Sequence, residues 1–254
     1  MYKNTQCKMQ AHRGVSTEAP ENTIPAYALA VEQGYDIIEA DPKFTADNVC
    51  VMLHDYTLTK TARLGGERIE GDVRVENVTY EELCRMDFGV WKAPEYEGTR
   101  IPTLKETLIF AGDAGIELKI DNVIERFTEE QQSIVFELIR SYGDKVGVTG
   151  AHVDFIEKVA AAVPDAILHY DGAVDESVLG ELDRISRGRE LYIWARMANK
   201  RTEWCKTPAV DAEYAAMIKK HGKLGIWILS EESEMQAALD LGADAVETNG
   251  QIKP

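Results

Sequence analysis

Residues 8–41 read KMQAHRGVSTEAPENTIPAYALAVEQGYDIIEAD, and they contain one complete strand–helix–strand unit. Residues 8–12 are a short β-rich run, and a polar turn follows. Thr23 then precedes Ile24, Tyr27, Ala28 and Val31, which share one helical face, and Gly34 supplies the stop. Residues 36–41 form a second β-rich run. The same alternation continues down the chain, with further strands expected at 116–120, 146–150, 166–170, 191–195, 225–229 and 244–248. Thr103 with Glu106, and Thr128 with Gln131, read as capping boxes between them. Asp175 can cap a segment with Val178, Leu179, Leu182 and Ile185 on its apolar face. Thr207-Pro208 reads as an N-cap followed by proline, leading into Val210, Tyr214, Met217 and Ile218. Met235, Ala238 and Leu239 belong to a last helix that stops at Gly242.

Eight strands alternating with helices over 254 residues fit a closed (β/α)₈ barrel, an α/β fold, as a single domain. An open doubly wound sheet is the alternative. No G-x-G-x-x-G follows the first strand and no Walker loop is present, so nothing in the glycine pattern favours it. One stretch breaks the rhythm. From about 56 to 102 come a short β-like run, a helix capped by Thr79 and Glu82, and an aromatic, Pro/Gly-rich segment through Trp91, Pro94 and Tyr96. This is long for a βα loop, and in a barrel it would be an insertion beside the mouth after the second strand.

The chain has 28 basic and 44 acidic residues, a net charge of −16. Such a balance argues against nucleic acid as a partner and against an anionic membrane surface. No run of 18 apolar residues suggests a membrane anchor, and the first residues carry no apolar signal region. The four cysteines, at 7, 50, 84 and 205, include no Cys-x-x-Cys pair. Neither a zinc ribbon nor a disulfide framework is indicated, and a reduced, cytoplasmic setting is the expectation.

Chemistry gathers at three expected strand ends. The first delivers His12 and Arg13. The second delivers Glu39 and Asp41, with His54-Asp55 soon after. The third delivers Glu117 and Lys119. Residues two apart on a strand face the same way, so Glu39 and Asp41 point together, as do Glu117 and Lys119. Three carboxylates facing a barrel interior repel one another and are costly to desolvate, and a hard divalent cation would relieve both. Oxygen ligands suit Mg²⁺ or Ca²⁺, with Mn²⁺ admissible, rather than Zn²⁺. A cation beside Arg13 and Lys119 suits a phosphate, and two imidazoles could move protons. Together these suggest phosphodiester cleavage. His152, His169 and His221 read as structural or exposed. Trp194 and Trp227 end expected strands and read as core or as a substrate wall.

At these residues the sequence resembles the glycerophosphodiester phosphodiesterase family. Ala11-His12-Arg13-Gly14 and Pro20-Glu21-Asn22-Thr23 are similar to its opening signature. Ile38-Glu39-Ala40-Asp41, His54-Asp55 with Leu58 and Thr61, Ile101-Pro102-Thr103-Leu104, and Glu117-Leu118-Lys119 resemble further elements. The resemblance implies a (β/α)₈ barrel with a small insertion after the second strand. It makes Glu39, Asp41 and Glu117 the metal ligands, and His12 and His54 the general base and acid. Arg13 and Lys119 would hold the phosphate, Glu21 and Asn22 would support the loop, and Trp227 falls where the family often has a late-strand Trp. The C-terminal Glu247-Thr248-Asn249-Gly250 departs from the usual Thr-Asp pair followed by proline. The expected substrate is a small glycerophosphodiester, cleaved to glycerol 3-phosphate and an alcohol. The alternatives are a lysophospholipase D activity, a barrel glycosidase or sugar isomerase using the carboxylates, and a barrel that only binds. The sequence leaves the oligomeric state and the leaving alcohol open.

Overall fold

The computed structural model describes residues 6–197 and 208–254. Eight parallel strands close into a barrel: β1 (Lys8–Ala11), β2 (Ile37–Ala40), β3 (Glu117–Ile120), β4 (Val146–Gly150), β5 (Ile167–Tyr170), β6 (Leu191–Arg196), β7 (Lys223–Leu229) and β8 (Ala245–Thr248). They pair in chain order, and β1 closes on β8 with Lys8 opposite Ala245. The helices between them are α1 (Ile24–Gln33), α2 (Leu104–Ala114), α3 (Glu129–Tyr142), α4 (Val153–Ala162), α5 (Glu176–Ser186), α6 (Ala212–Ile218) and α7 (Glu232–Asp240). The main apolar core lies between barrel and helices, because each strand turns its Val, Ile and Leu outward onto a helix stripe, as Ile38, Leu118, Val148 and Leu168 do.

The eight expected strands and the closed barrel are all present, and the boxes at Thr103 and Thr128 cap α2 and α3. One expected helix start differs. α6 begins at Ala212 and is capped by Asp211, whose carboxylate accepts from Tyr214 N at 2.8 Å. Pro208 lies ahead of it, beside Ala209, which bridges to Arg196, and Thr207 is outside the described residues. Asp211, three residues before Tyr214, was the better cap.

Between β2 and β3 the chain forms two antiparallel hairpins, Pro42–Phe44 with Cys50–Met52 and Arg63–Leu64 with Glu67–Arg68, and then a short helix, Tyr80–Leu83. These residues bury their own apolar cluster, including Leu58, Val75, Leu83 and Phe88. The segment is tied to the loop after β1: Lys92 Nζ donates to Ser16 O at 2.7 Å, and Lys60 Nζ to Glu21 at 2.6 Å.

The barrel interior is polar. Alternation along the strands aims Lys8, Gln10 and His12 inward from β1, Glu117, Lys119 and Asp121 from β3, and Tyr192, Trp194 and Arg196 from β6. Two glycines make room for large neighbours. A β-carbon at Gly147 would overlap His169, and one at Gly225 would overlap the Trp194 indole. Gly225→Ala is therefore expected to lower stability by about 1–3 kcal/mol through overpacking. Chemical denaturation checks this, and an unchanged midpoint would show that the indole can move.

Candidate active site

β1 ends in a turn built under strain. Its ladder extends one residue, His12 N donating to Thr248 O at 2.9 Å. Arg13 (φ 60°) and Asn22 (φ 56°) then adopt left-handed backbone that non-glycine residues rarely occupy. Such geometry persists only where surroundings over-determine it. Here Arg13 N donates to Glu39 at 2.9 Å, and Asn22 N donates to Arg13 O at 3.1 Å. The Asn22 amide spans to β2, donating to Asp41 Oδ2 at 2.7 Å and accepting from Asp41 N at 3.1 Å. The loop signature is thus a clamp that sets Arg13 beside Asp41, 3.3 Å away, and beside Glu21, 3.2 Å away.

Three carboxylates meet above this clamp. Glu39, Asp41 and Asp121 each offer an oxygen, all within 4.8 Å of one another. Burial and then the Asp41 charge push Glu39 well above the ordinary carboxylate range, and the same two causes raise Asp121. Burial also opposes ionisation of Asp41, but Arg13, His54 and Lys43 hold it below its usual value. Crowded acids whose pKa values are driven apart mark a site that an added positive charge would stabilise.

Glu117 is not brought to this group, and this corrects the reading of Glu117-Leu-Lys119. It is the first residue of β3, opposite Ile37, whereas Lys119 pairs in register with Glu39. Asp121, on the same face, is about 13 Å further up the strand by ordinary strand rise. Glu117 sits at the barrel floor, with Oε2 2.8 Å from Lys8 Nζ and Oε1 3.2 Å from His169 Nε2. Burial would raise its pKa, but His169 and Lys8 hold it below the usual range. Lys119 occupies the layer between, 3.8 Å from Glu247 and 4.7 Å over the Trp194 ring. Burial disfavours its charge, but Glu247 and Glu39 more than restore it. Of the two readings of Trp194, core or substrate wall, the fold places it in the core. Only 1% exposed, it stacks with His169 and Tyr192 and donates Nε1 to His169 Nδ1 at 2.9 Å, so it underlies Lys119 rather than walling the mouth.

The imidazoles are oriented by acceptors. Asn249 Oδ1 lies 2.6 Å from His12 Nδ1, so that nitrogen donates, leaving Nε2 turned toward Glu247 (3.6 Å) and Glu39 (4.0 Å). Asp55 Oδ1 lies 2.7 Å from His54 Nδ1, leaving its Nε2 outward. His54 lines one cavity with Asp41 and Asp121. Across the mouth, Trp227 Nε1 donates to Asp171 at 3.2 Å. Burial raises Asp171 to about 7, against the pull of Lys119. The other three histidines lie elsewhere: His169 is fully buried in the floor, His152 begins α4 exposed with Nδ1 2.9 Å from Glu125, and His221 follows α6.

The sequence model of the Glycerophosphoryl diester phosphodiesterase family matches residues 12–171, more than half the chain. The chain belongs to that family. The glycerophosphodiester phosphodiesterase of Caldanaerobacter subterraneus subsp. tengcongensis is 28% identical over 252 residues, spanning 94% of this chain and 92% of its own. The Bacillus subtilis protein YhdW is 43% identical over a shorter stretch of 98 residues, 39% of this chain and 37% of its own. Among solved structures, a phosphodiesterase from Oleispira antarctica in complex with the product sn-glycerol-3-phosphate superposes with a TM-score of 0.75 at 23% identity, covering 96% of this chain and 93% of that one.

As a glycerophosphoryl diester phosphodiesterase family member, the chain is a phosphoric diester hydrolase. The family match takes in His12, Arg13, Glu39, Asp41, His54 and Asp121, while Trp227, Glu247 and Asn249 lie beyond it. Asp121 was legible in principle: it continues the 117, 119, 121 face. Asn249 stood out only as a departure from the family's Thr-Asp pair, and Asp171 and Lys43 carried no motif signal.

Proposed function

We propose that this hydrolase cleaves glycerophosphodiesters to glycerol 3-phosphate and an alcohol, with His12 and His54 as proton carriers and a divalent cation between the acids. The observation that carries the reading is the placement of Glu39, Asp41 and Asp121 between the two imidazoles. His12 approaches Glu39, and His54 shares a cavity with the other two. The donor set fits a hard ion: oxygen atoms only, three carboxylates, and two of them pushed toward protonation by burial and by the neighbouring Asp41 charge. Glu39, Asp41 and Asp121 would hold Mg²⁺ or Ca²⁺, with Mn²⁺ a further candidate. When bound, such an ion supplies Lewis-acid stabilisation of phosphoryl oxygens and lets an anion approach the carboxylates.

The side chains do the rest. Arg13, the cation at the turn, faces the phosphate. Lys119 offsets the carboxylates beneath it. His12 Nε2, its tautomer set by Asn249, takes the proton of the attacking oxygen. His54 Nε2, its tautomer set by Asp55, gives a proton to the departing alcohol oxygen as the P–O bond breaks. Trp227 and Asp171 form the opposite wall, and the segment between β2 and β3 caps one side. The test is a panel of glycerophosphodiesters, lysophospholipids and a glycoside, assayed with excess chelator and with Mg²⁺, Ca²⁺ or Mn²⁺ restored. We expect turnover of glycerophosphodiesters only, lost on chelation and regained with metal. Full activity in chelator would remove the metal from this account, and preference for a lysophospholipid would change the substrate class.

A further inference from the structure

A cavity of about 260 Å³ opens beside Asp41, Asp121 and His54, lined further by Lys43, Tyr56, Asn122 and Arg126. Lys43, Tyr56 and Arg126 also line a second hollow of about 280 Å³ that continues outward from it. Lys43 is only 4% exposed, yet no acid within ion-pair distance and no hydrogen-bond acceptor meets its ammonium among the described residues. Its one close partner is the face of Tyr56, 5.0 Å from the ring centre, which Arg74 also flanks at 5.2 Å. The side chain is mostly covered but lines both hollows, so an anion in either would meet a cation with no bonded acceptor. Arg126, further out, is exposed and also has no acid partner among the described residues. Of the acids nearby, Asp41 bonds Arg13 and Asn22 and feels Lys43 only through space, Asp55 bonds His54, and Glu76 bonds Arg74, while Asp121 lines the same cavity.

We infer that the pocket formed by Lys43, Tyr56 and Arg126 is a subsite for a negatively charged group, a carboxylate or a phosphomonoester, on the substrate's leaving alcohol. This deepens the proposed function and rests on it. In a chain of net charge −16 the average field repels anions, so a local pair of cations with no acid at ion-pair distance, next to the reaction centre, selects for one. Their position, one beside the mouth and one on the outward path, places the charge on the part of the substrate that departs. Arg13 already serves the scissile phosphate.

The experiment compares kcat/KM in matched pairs: glycerophosphoserine against glycerophosphoethanolamine, which differ by a carboxylate, and glycerophosphoinositol 4-phosphate against glycerophosphoinositol, which differ by a phosphomonoester. The wild type should favour at least one anionic member about tenfold, the worth of one charge-assisted hydrogen bond. Lys43→Gln and Arg126→Gln should each cut that ratio about fivefold or more, and which pair responds identifies the anion. Arg126 is at the surface, so its variant reads the ratio even if Lys43→Gln folds poorly. A wild-type ratio of one or less, or variants that slow both members equally, would overturn the subsite. Turnover of none of the four would remove the proposed reaction and the subsite with it.

Discussion

Asp121→Asn is expected to weaken divalent-cation binding at least about 100-fold and to lower turnover correspondingly, while Glu117→Gln leaves metal binding intact. The reason is position along β3. Asp121 shares its oxygens with Glu39 and Asp41, whereas Glu117 is engaged at the floor by Lys8 and His169. Glu117→Gln should instead reduce stability by about 1–3 kcal/mol, because the charge facing Lys8 and the buried His169 is lost and one of the two acceptor oxygens becomes a donor. The pH dependence follows. Glu117 titrates below its unfolded value, so it contributes stability above the ordinary glutamate pKa, and that contribution fades as pH falls toward the folded value. The variant should lose less stability than wild type across that acid range. Calorimetric metal titration and denaturation at several pH values measure both. Metal binding surviving Asp121→Asn and lost in Glu117→Gln would restore the sequence-based ligand set.

The second large effect concerns the imidazoles. His12→Ala and His54→Ala should each reduce kcat by about 10²–10⁴. The double variant should fall little below the weaker single, because both act in one step. His152→Ala, whose side chain is 81% exposed, is the control and should change kcat little. Asn249→Ala should slow turnover less than His12→Ala, since it frees the ring rather than removing it. A near-wild-type His54→Ala enzyme would take the acid out of the mechanism.

The barrel was legible because the strands carry their own period and several helices their own cap, as at Thr103, Thr128 and Asp175. Neither depends on distant contacts. The site was legible where function needs strained local geometry, as in the turn holding His12, Arg13 and Asn22. It was misread where only register decides. Glu117, Lys119 and Asp121 face one way, and the sequence does not say which of them stands at the mouth; the pairing of Ile37 with Glu117 does. The same holds for Trp194 and Trp227. Arg196, two residues beyond Trp194, is the residue in register with Trp227, which puts one indole a layer below the other. Lys43 was invisible because its lack of an ion-pair partner is a property of the folded surroundings.

The barrel floor has a kinetic consequence. Lys8 bridges Glu117 (2.8 Å) and Glu190 (3.5 Å), Lys223 closes on Glu190 (2.5 Å), and the stacked rings of His169, Tyr192 and Trp194 fill the space above. Among the described residues these side chains fill the floor, so a substrate of the proposed reaction would enter and leave by the mouth at the other end. Under the proposed reaction both products leave by that doorway before fresh substrate can enter. In such a dead-end chamber emptying can limit turnover, and added glycerol 3-phosphate, the product of the proposed reaction, is expected to inhibit competitively.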